Sequence, residues 1–195
     1  MPDRPLGPSP RFEAALRLAA AAHLGQSRRG ADVPYIEHPY AVALILDRAG
    51  FDEDVAIAGL LHDAVEDTAT TLDAIRDRFG DRVASIVAAC SEEKLDASGV
   101  KRPWADRKRD HLAAAASAPA EARAVILADK LHNLLCILVD LRDGRPVWDG
   151  FNADRASVLA YQRAMIDACH ADTPRLAALA TECRTLYEQV AAFVA

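Results

Sequence analysis

Apolar positions along this chain recur at helical spacing, in segments divided by proline, glycine and polar stretches. From Arg11, the residues Phe12, Leu16, Ala19 and His23 fall on one face, with Gly25 as the stop. Ala41 to Ala49 predicts a helix carrying Val42, Leu44, Ile45 and Leu46 and ended by Gly50. Asp52 to Leu61 is apolar at Val55, Ile57, Ala58, Leu60 and Leu61, the pattern of a helix that enters a core. Thr70-Thr71-Leu72-Asp73 reads as a capping box for a helix running to Phe79. A left-handed Gly80 should follow, with Asp81 capping a helix whose stripe is Val83, Ile86, Val87 and Cys90.

Ser91 to Pro103 is the longest internal loop, and Trp104 to Ala116 resumes as helix. Glu121 to Leu141 is the second strongly apolar helix and should be central and buried. After a loop from Asp143 to Phe151, Asn152 to Cys169 and Pro174 to Val194 predict two closing helices with little chemistry. No alternating strand pattern, internal repeat, glycine-rich phosphate loop or Ser-His-Asp elbow is present. The expectation is an all-α fold, one domain of about eight to ten helices over residues 11–195. Residues 1–10 hold four prolines and read as a disordered leader.

Composition narrows the classes. With 195 residues, 51% hydrophobic and 27% charged, the chain suits one globular domain with a sizeable core. No apolar run has the length of a membrane span and the start lacks the apolar core of a signal peptide, so a cytoplasmic location is expected. Cys90, Cys136, Cys169 and Cys183 are scattered, as reduced thiols on helices would be. A net charge of −6 argues against general nucleic-acid binding, so an anionic ligand needs local cations.

The candidate chemistry lies where ionisable groups interrupt apolar helices. His62-Asp63 and Glu66-Asp67 follow the first apolar helix, and if it continues they crowd one patch. A solvated helix end would tolerate them, but apolar residues before the pair favour a divalent cation, for which His and Asp are good ligands. Asp129 sits in the second apolar helix, and Lys130 beside it should face elsewhere, so a metal is the better partner. His38 precedes a helix within a proline-bounded stretch and is a cap or a ligand. Arg28-Arg29 and the run from Arg107 are solvated surface or anion contacts. All four lysines (Lys94, Lys101, Lys108, Lys130) fall between residues 94 and 130, after the His62-Asp63 motif.

Taken together, Arg28-Arg29, PYIEHP, LLHDAVEDT, RFGDRV and LADKLHNL resemble the hydrolase domain of RelA/SpoT proteins, especially the stand-alone small alarmone hydrolases. These are HD-domain metal-dependent phosphohydrolases, helical bundles in which ligands come in the order H…HD…D. The resemblance covers roughly residues 12–170. It implies that His38, His62, Asp63 and Asp129 hold one divalent ion, usually Mn²⁺. It implies that Glu66 and Asp67 organise and deprotonate the attacking water. It places Arg28, Arg29, Tyr35, Lys130 and Asn133 around a nucleotide, with Arg107 and Lys108 near its phosphates. The implied reaction removes the 3′-pyrophosphate of ppGpp, and the assembly left open is a homodimer. The chain departs from the family at Arg28-Arg29 with its longer loop, at Cys90-Ser91-Glu92-Glu93 and at Leu134-Leu135-Cys136. These lie near base and phosphate contacts and keep an adenine alarmone or NADPH as rival substrates. A non-catalytic nucleotide sensor is the rival of another class.

Overall fold

The computed structural model describes residues 7–28, 32–96, 98–169 and 171–193. Among them are ten α-helices: α1 (Pro10–Ala22), α2 (Glu37–Arg48), α3 (Glu53–Leu61), α4 (Ala64–Asp67), α5 (Leu72–Phe79), α6 (Asp81–Cys90), α7 (Trp104–Ser117), α8 (Ala120–Arg142), α9 (Arg155–Ala168) and α10 (Pro174–Phe193). A short 3-10 helix spans Val147–Gly150. Pairing of extended backbone among the described residues is confined to two isolated bridges, Ser27 with Pro34 and Leu95 with Lys101. The fold is all-α, as expected. No described helix is long and apolar enough to cross a membrane. Most of the leader lies outside the described residues, and its last residues open α1: Ser9 caps it and Pro10 is its first residue.

Local chemistry sets the helix ends. Side chains of Ser9, Asp52, Thr71 and Asp154 each accept a backbone N–H from the first turn of their helix. The cap of α5 is thus Thr71, one residue after the expected box, because Thr70 is turned toward the Thr68 hydroxyl. Asp81 is the first residue of α6 and makes no cap, since Gly80 occupies that position. Gly80 has φ 90° and ψ 167°, a positive-φ conformation but an extended one, so it is no left-handed terminator. Helix α2 begins at Glu37, four residues earlier than expected. Pro39 is accepted there because N–H groups of a first turn have no partner within the helix.

Two helices form the centre. Every residue of α3 from Val55 to Leu61 is buried, and α3 packs against α1, α2, α6 and α8. Helix α8 buries most of its first half, packs mainly on α10 and also touches α2, α3, α6 and α9. Close approach of α2 to α3 depends on Gly59, where a Cβ would lie 2.6 Å from Leu46 Cδ1 and 3.3 Å from Val42 Cγ1. Helix α3 stops at Leu61. His62 keeps helical dihedrals, but Asp63 relaxes to φ −90° and ψ −10° before α4 begins. The expected continuous helix is broken there.

Gly59→Val should therefore overpack the α2–α3 contact. We expect a loss of about 1–3 kcal/mol of unfolding free energy, read as a lower urea midpoint at unchanged slope.

Candidate metal centre and active site

The end of α3, the start of α2 and the middle of α8 converge on four side chains. His38 Nε2 lies 3.4 Å from Asp63 Oδ2 and 3.2 Å from Asp129 Oδ1. His62 Nε2 lies 3.2 Å from Asp63 Oδ2 and 4.0 Å from Asp129 Oδ1. Donor atoms of His38, His62 and Asp129 all fall within 4.8 Å of one another, and Asp63 adds a fourth through the contacts above. His38 is not a cap, since it lies inside α2 and is 1% exposed.

Hydrogen bonding assigns the protons in this cluster. His62 Nδ1 is 2.7 Å from the Gly59 carbonyl, which can only accept, so Nδ1 carries a hydrogen. Burial works to lower the ring's pKa, but the Asp63 and Asp129 charges outweigh it and raise it to about 9, so Nε2 holds a second hydrogen until a cation displaces it. That Nε2 is buried and lacks a hydrogen-bond partner. The same logic runs outward from His38. Glu37 accepts from His132 Nε2 at 3.1 Å, which leaves His132 Nδ1 to accept from His38 Nδ1 at 2.8 Å. His38 Nε2 is then a lone pair directed at the carboxylates. Two carboxylates this close to two ring nitrogens draw a proton or a cation between them, and the donor set fits a nitrogen–oxygen-binding divalent ion.

Around the cluster the side chains are held in turn. Tyr35 OH donates to Asp63 Oδ2 at 2.7 Å, and burial followed by the Asp63 charge pushes the phenol far up, so it remains a donor. Asn133 Nδ2 donates to Asp129 Oδ1, and Asn133 Oδ1 accepts from Arg28 at 2.8 Å. Lys130 pairs with Asp129 Oδ2 at 2.7 Å, contrary to expectation. Adjacent Cβ atoms do point apart, but the four-carbon stem lets Nζ curl back along the helix. Asp129 thus divides its oxygens, Oδ1 toward the histidines and Oδ2 toward Lys130.

The cluster lies in a cavity of about 590 Å³, within the range of small-molecule sites. Glu66 lines it and accepts the Glu92 N–H at 2.6 Å. Burial, then the Asp63 charge, raises the Glu66 carboxyl above its ordinary value, with Lys94 pulling the other way. Asp67 is not among the lining residues and pairs with Lys94 at the rim, so the two expected acids stand in different surroundings. Arg28, Lys108 and Arg107 all line the cavity. Arg29 lies outside the described residues.

Four contributors are not apparent from the sequence pattern. Glu92, with a side chain 4% exposed, pairs with both Arg107 and Lys108. Lys94 bridges Glu66 and Asp67. Tyr161, on a helix expected only to pack, stands with its ring 4.8 Å from Lys108 Nζ and 5.4 Å from Lys130 Nζ, and its hydroxyl meets His111 Nδ1 at 3.0 Å. His132 supports His38 as described. The only signal for Glu92 is an acid in the loop that precedes the basic helix, and nothing there says that it turns inward. Cys90, Cys169 and Cys183 are buried free thiols as expected, whereas Cys136 is partly exposed.

A buried His/Asp cluster set by the start of one helix, the end of a second and the middle of a third defines an HD-type site, and the chain belongs to the HD-domain family, whose model matches residues 15–146. Within that family the chain is 41% identical over 123 residues to guanosine-3′,5′-bis(diphosphate) 3′-pyrophosphohydrolase MESH1 of Xenopus tropicalis, covering 62% of this chain and 65% of the relative. It is 37% identical over 130 residues to the Aquifex aeolicus guanosine-3′,5′-bis(diphosphate) 3′-pyrophosphohydrolase, covering 66% of this chain and 18% of that one. The match thus spans less than two thirds of either relative's length. Its structure is similar to a metazoan ortholog of SpoT that hydrolyses ppGpp and plays a role in starvation responses. There the TM-score is 0.77 and the identity 28%, covering 95% of this chain and 98% of that one. A crystal structure from Listeria monocytogenes aligns with TM-score 0.65 and 35% identity over 79% of this chain and 98% of that one.

Glu92 yields a pH prediction. Burial works to raise its carboxyl, but His111, Lys108 and Arg107 outweigh it and hold it far below its ordinary 4.5. A depressed folded-state pKa contributes its full stability above the unfolded value, and that stability is lost progressively as pH falls from there through the folded value. Glu92→Gln should cost on the order of 3 kcal/mol at neutral pH, because two cations lose their partner. The gap from the parent protein should shrink steadily below pH about 4.5, as urea midpoints at several pH values will show.

Proposed function

We propose that this protein is a metal-dependent phosphohydrolase that removes the 3′-pyrophosphate of (p)ppGpp, giving GDP or GTP and pyrophosphate. His38, His62, Asp63 and Asp129 would hold one divalent ion, for which Mn²⁺ is our assignment. The observation that carries this reading is the setting of Glu66: a carboxyl of raised proton affinity, beside the four-residue cluster, in a cavity also lined by Arg28, Lys108 and Lys130. The printed activity of the relatives supports the choice of nucleotide.

A bound divalent ion supplies Lewis acidity toward water and a phosphoryl oxygen. Glu66 takes the proton of the attacking water on its carboxylate, and burial is what makes that carboxylate a better base than an exposed one. Its position is held by the Glu92 N–H and by Lys94. Asp67 keeps Lys94 at the rim and so positions Glu66 rather than touching the substrate. Tyr35 and Asn133 orient Asp63 and Asp129. Lys108, Lys130 and Arg28 meet the phosphate charge through short charge-assisted contacts, which a chain of net charge −6 must supply locally. Arg107 is 6% exposed and anchored by Glu92, so we assign it to positioning Lys108's helix and the cavity wall.

Metal-stripped protein reloaded with Mn²⁺ should turn over ppGpp and pppGpp in preference to ppApp and NADPH, measured as released pyrophosphate or phosphate. Preference for ppApp or NADPH would keep the chemistry and replace the substrate. Tight binding of ppGpp without turnover would replace the hydrolase by a sensor. Glu66→Gln should retain full metal content by elemental analysis while kcat falls about 10²–10⁴-fold. Asp129→Asn should lose metal and turnover together, and full metal content in that variant would refute the ligand assignment.

A further inference from the structure

Asp140 lines the cavity near the end of α8 and has no part in the chemistry above. It follows Asp129 by about three helical turns, so the two carboxylates share one face of α8, roughly 16 Å apart along its axis. The Asp140 side chain is 24% exposed and pairs with Arg145, whose Nη1 lies 3.6 Å from Oδ1. That is longer than a hydrogen bond, so both oxygens keep lone pairs for a ligand. The Arg145 backbone N–H donates to the Asp140 carbonyl at 2.9 Å, which ties the loop after α8 to this end of the helix. On the flank of the same face stand Leu135 and Val139, one turn apart. They are 43% and 47% exposed, and both line the cavity.

A carboxylate in the wall of a cavity that takes a polyphosphate repels its ligand, unless the part of the ligand beside it is neutral and donates hydrogen bonds. The wall is divided in that sense. Lys130 pairs with Asp129, and Lys108 shares the Tyr161 ring with it, so the cations gather at the Asp129 end. Exposed apolar side chains and Asp140 make the other end. A nucleotide therefore lies along α8 with its phosphates toward Asp129 and its base toward Asp140. We propose that Asp140 selects guanine, accepting the N1–H and N2–H of the base on its two carboxylate oxygens while Leu135 and Val139 cover a face of the ring. The inference rests on the cavity being a nucleotide site, as read above.

The selectivity follows from the edges of the bases. Guanine presents two parallel N–H donors, which a carboxylate accepts as a bidentate pair strengthened by its charge. Adenine presents one N–H beside the lone pair of its ring N1, and that lone pair meets the carboxylate unfavourably. Hypoxanthine keeps the N1–H and lacks the amino group, so it makes half of the contact. A buried acceptor left without its donor loses hydration for nothing, which is why such a site rejects the wrong base more firmly than an apolar pocket does. Arg145 holds Asp140 in place and is a positioning residue here.

Equilibrium binding of the 5′-diphosphates of guanosine, inosine and adenosine to the Mn²⁺-loaded full chain tests this without reference to activity. The parent protein should bind GDP about 10–100-fold more tightly than IDP or ADP. Asp140→Ala should erase that preference. Because the readout is a ratio of affinities, a general loss of binding does not imitate it, and neither does a contact to the ribose, which all three ligands carry. Asp140→Asn puts an N–H donor where an oxygen stood and should bind xanthosine 5′-diphosphate more tightly than GDP, since O2 of xanthine accepts where the guanine amino group donates. A misfolded variant gains no ligand. Equal binding of GDP and IDP by the parent protein, a preference that survives Asp140→Ala, or an Asp140→Asn protein that still prefers GDP overturns the assignment. Turnover of ppGpp is read separately. Base preference without turnover removes the hydrolase reading alone, and turnover without base preference removes this inference alone.

Discussion

Two carboxylates held against two imidazole nitrogens, at the junction of the two most apolar helices, are the constraint on which this fold turns. Asp63 and Asp129 cannot be left bare there, since burial of an uncompensated charge costs several kcal/mol. The helices bring them together because α3 and α8 are apolar enough to be central, and both therefore pass through the same core. His62 and Asp63, neighbours in the chain, meet at 3.2 Å where α3 gives way to α4.

The rest of the cavity is built by holding cations in place before any anion arrives. Lys130 is paired with Asp129, Lys94 with Glu66 and Asp67, and Lys108 with Glu92. Long cationic side chains lose considerable rotamer freedom when fixed. Here much of that loss is borne in folding, so a polyphosphate meets oriented donors. The same pairing limits the attraction, because each cation already has a negative partner. Short-range geometry must therefore select the ligand, in keeping with a protein whose overall charge repels anions at long range.

The residues of the His/Asp cluster are legible in the sequence because polar groups in apolar helices are conspicuous against their background. Asp129 stands out by what surrounds it, and His62-Asp63 by what precedes it. The helices are legible for a related reason, since caps and apolar stripes are local. Their ends shift where local contacts decide them, as at Thr70, whose N–H donates to Thr68 and leaves the cap to Thr71, and at α2, which starts early at Glu37. Glu92 and Lys94 are not legible as partners of Arg107 and Glu66, because they lie in a loop whose path depends on what it packs against. Lys130 departs from its expected direction because a Cβ vector does not fix the position of an ammonium four carbons further out.

Tyr161 marks the deeper limit of such reading. Its helix, α9, has an ordinary amphipathic pattern, and a tyrosine on its inner face looks like core. Its ring in fact covers two ammonium groups from two other helices, and its hydroxyl holds His111. An aromatic face near a cation favours the charged form, while burial of Lys108 disfavours it. For Lys108 burial prevails, with Lys130 adding repulsion, and its pKa falls below the ordinary value. For Lys130 the Asp129 carboxylate prevails over burial and its pKa rises. One tyrosine thus faces two lysines shifted in opposite senses. The difference comes from which carboxylate each can reach and how much it must share, since Asp129 is adjacent to Lys130 whereas Glu92 is divided between Lys108 and Arg107.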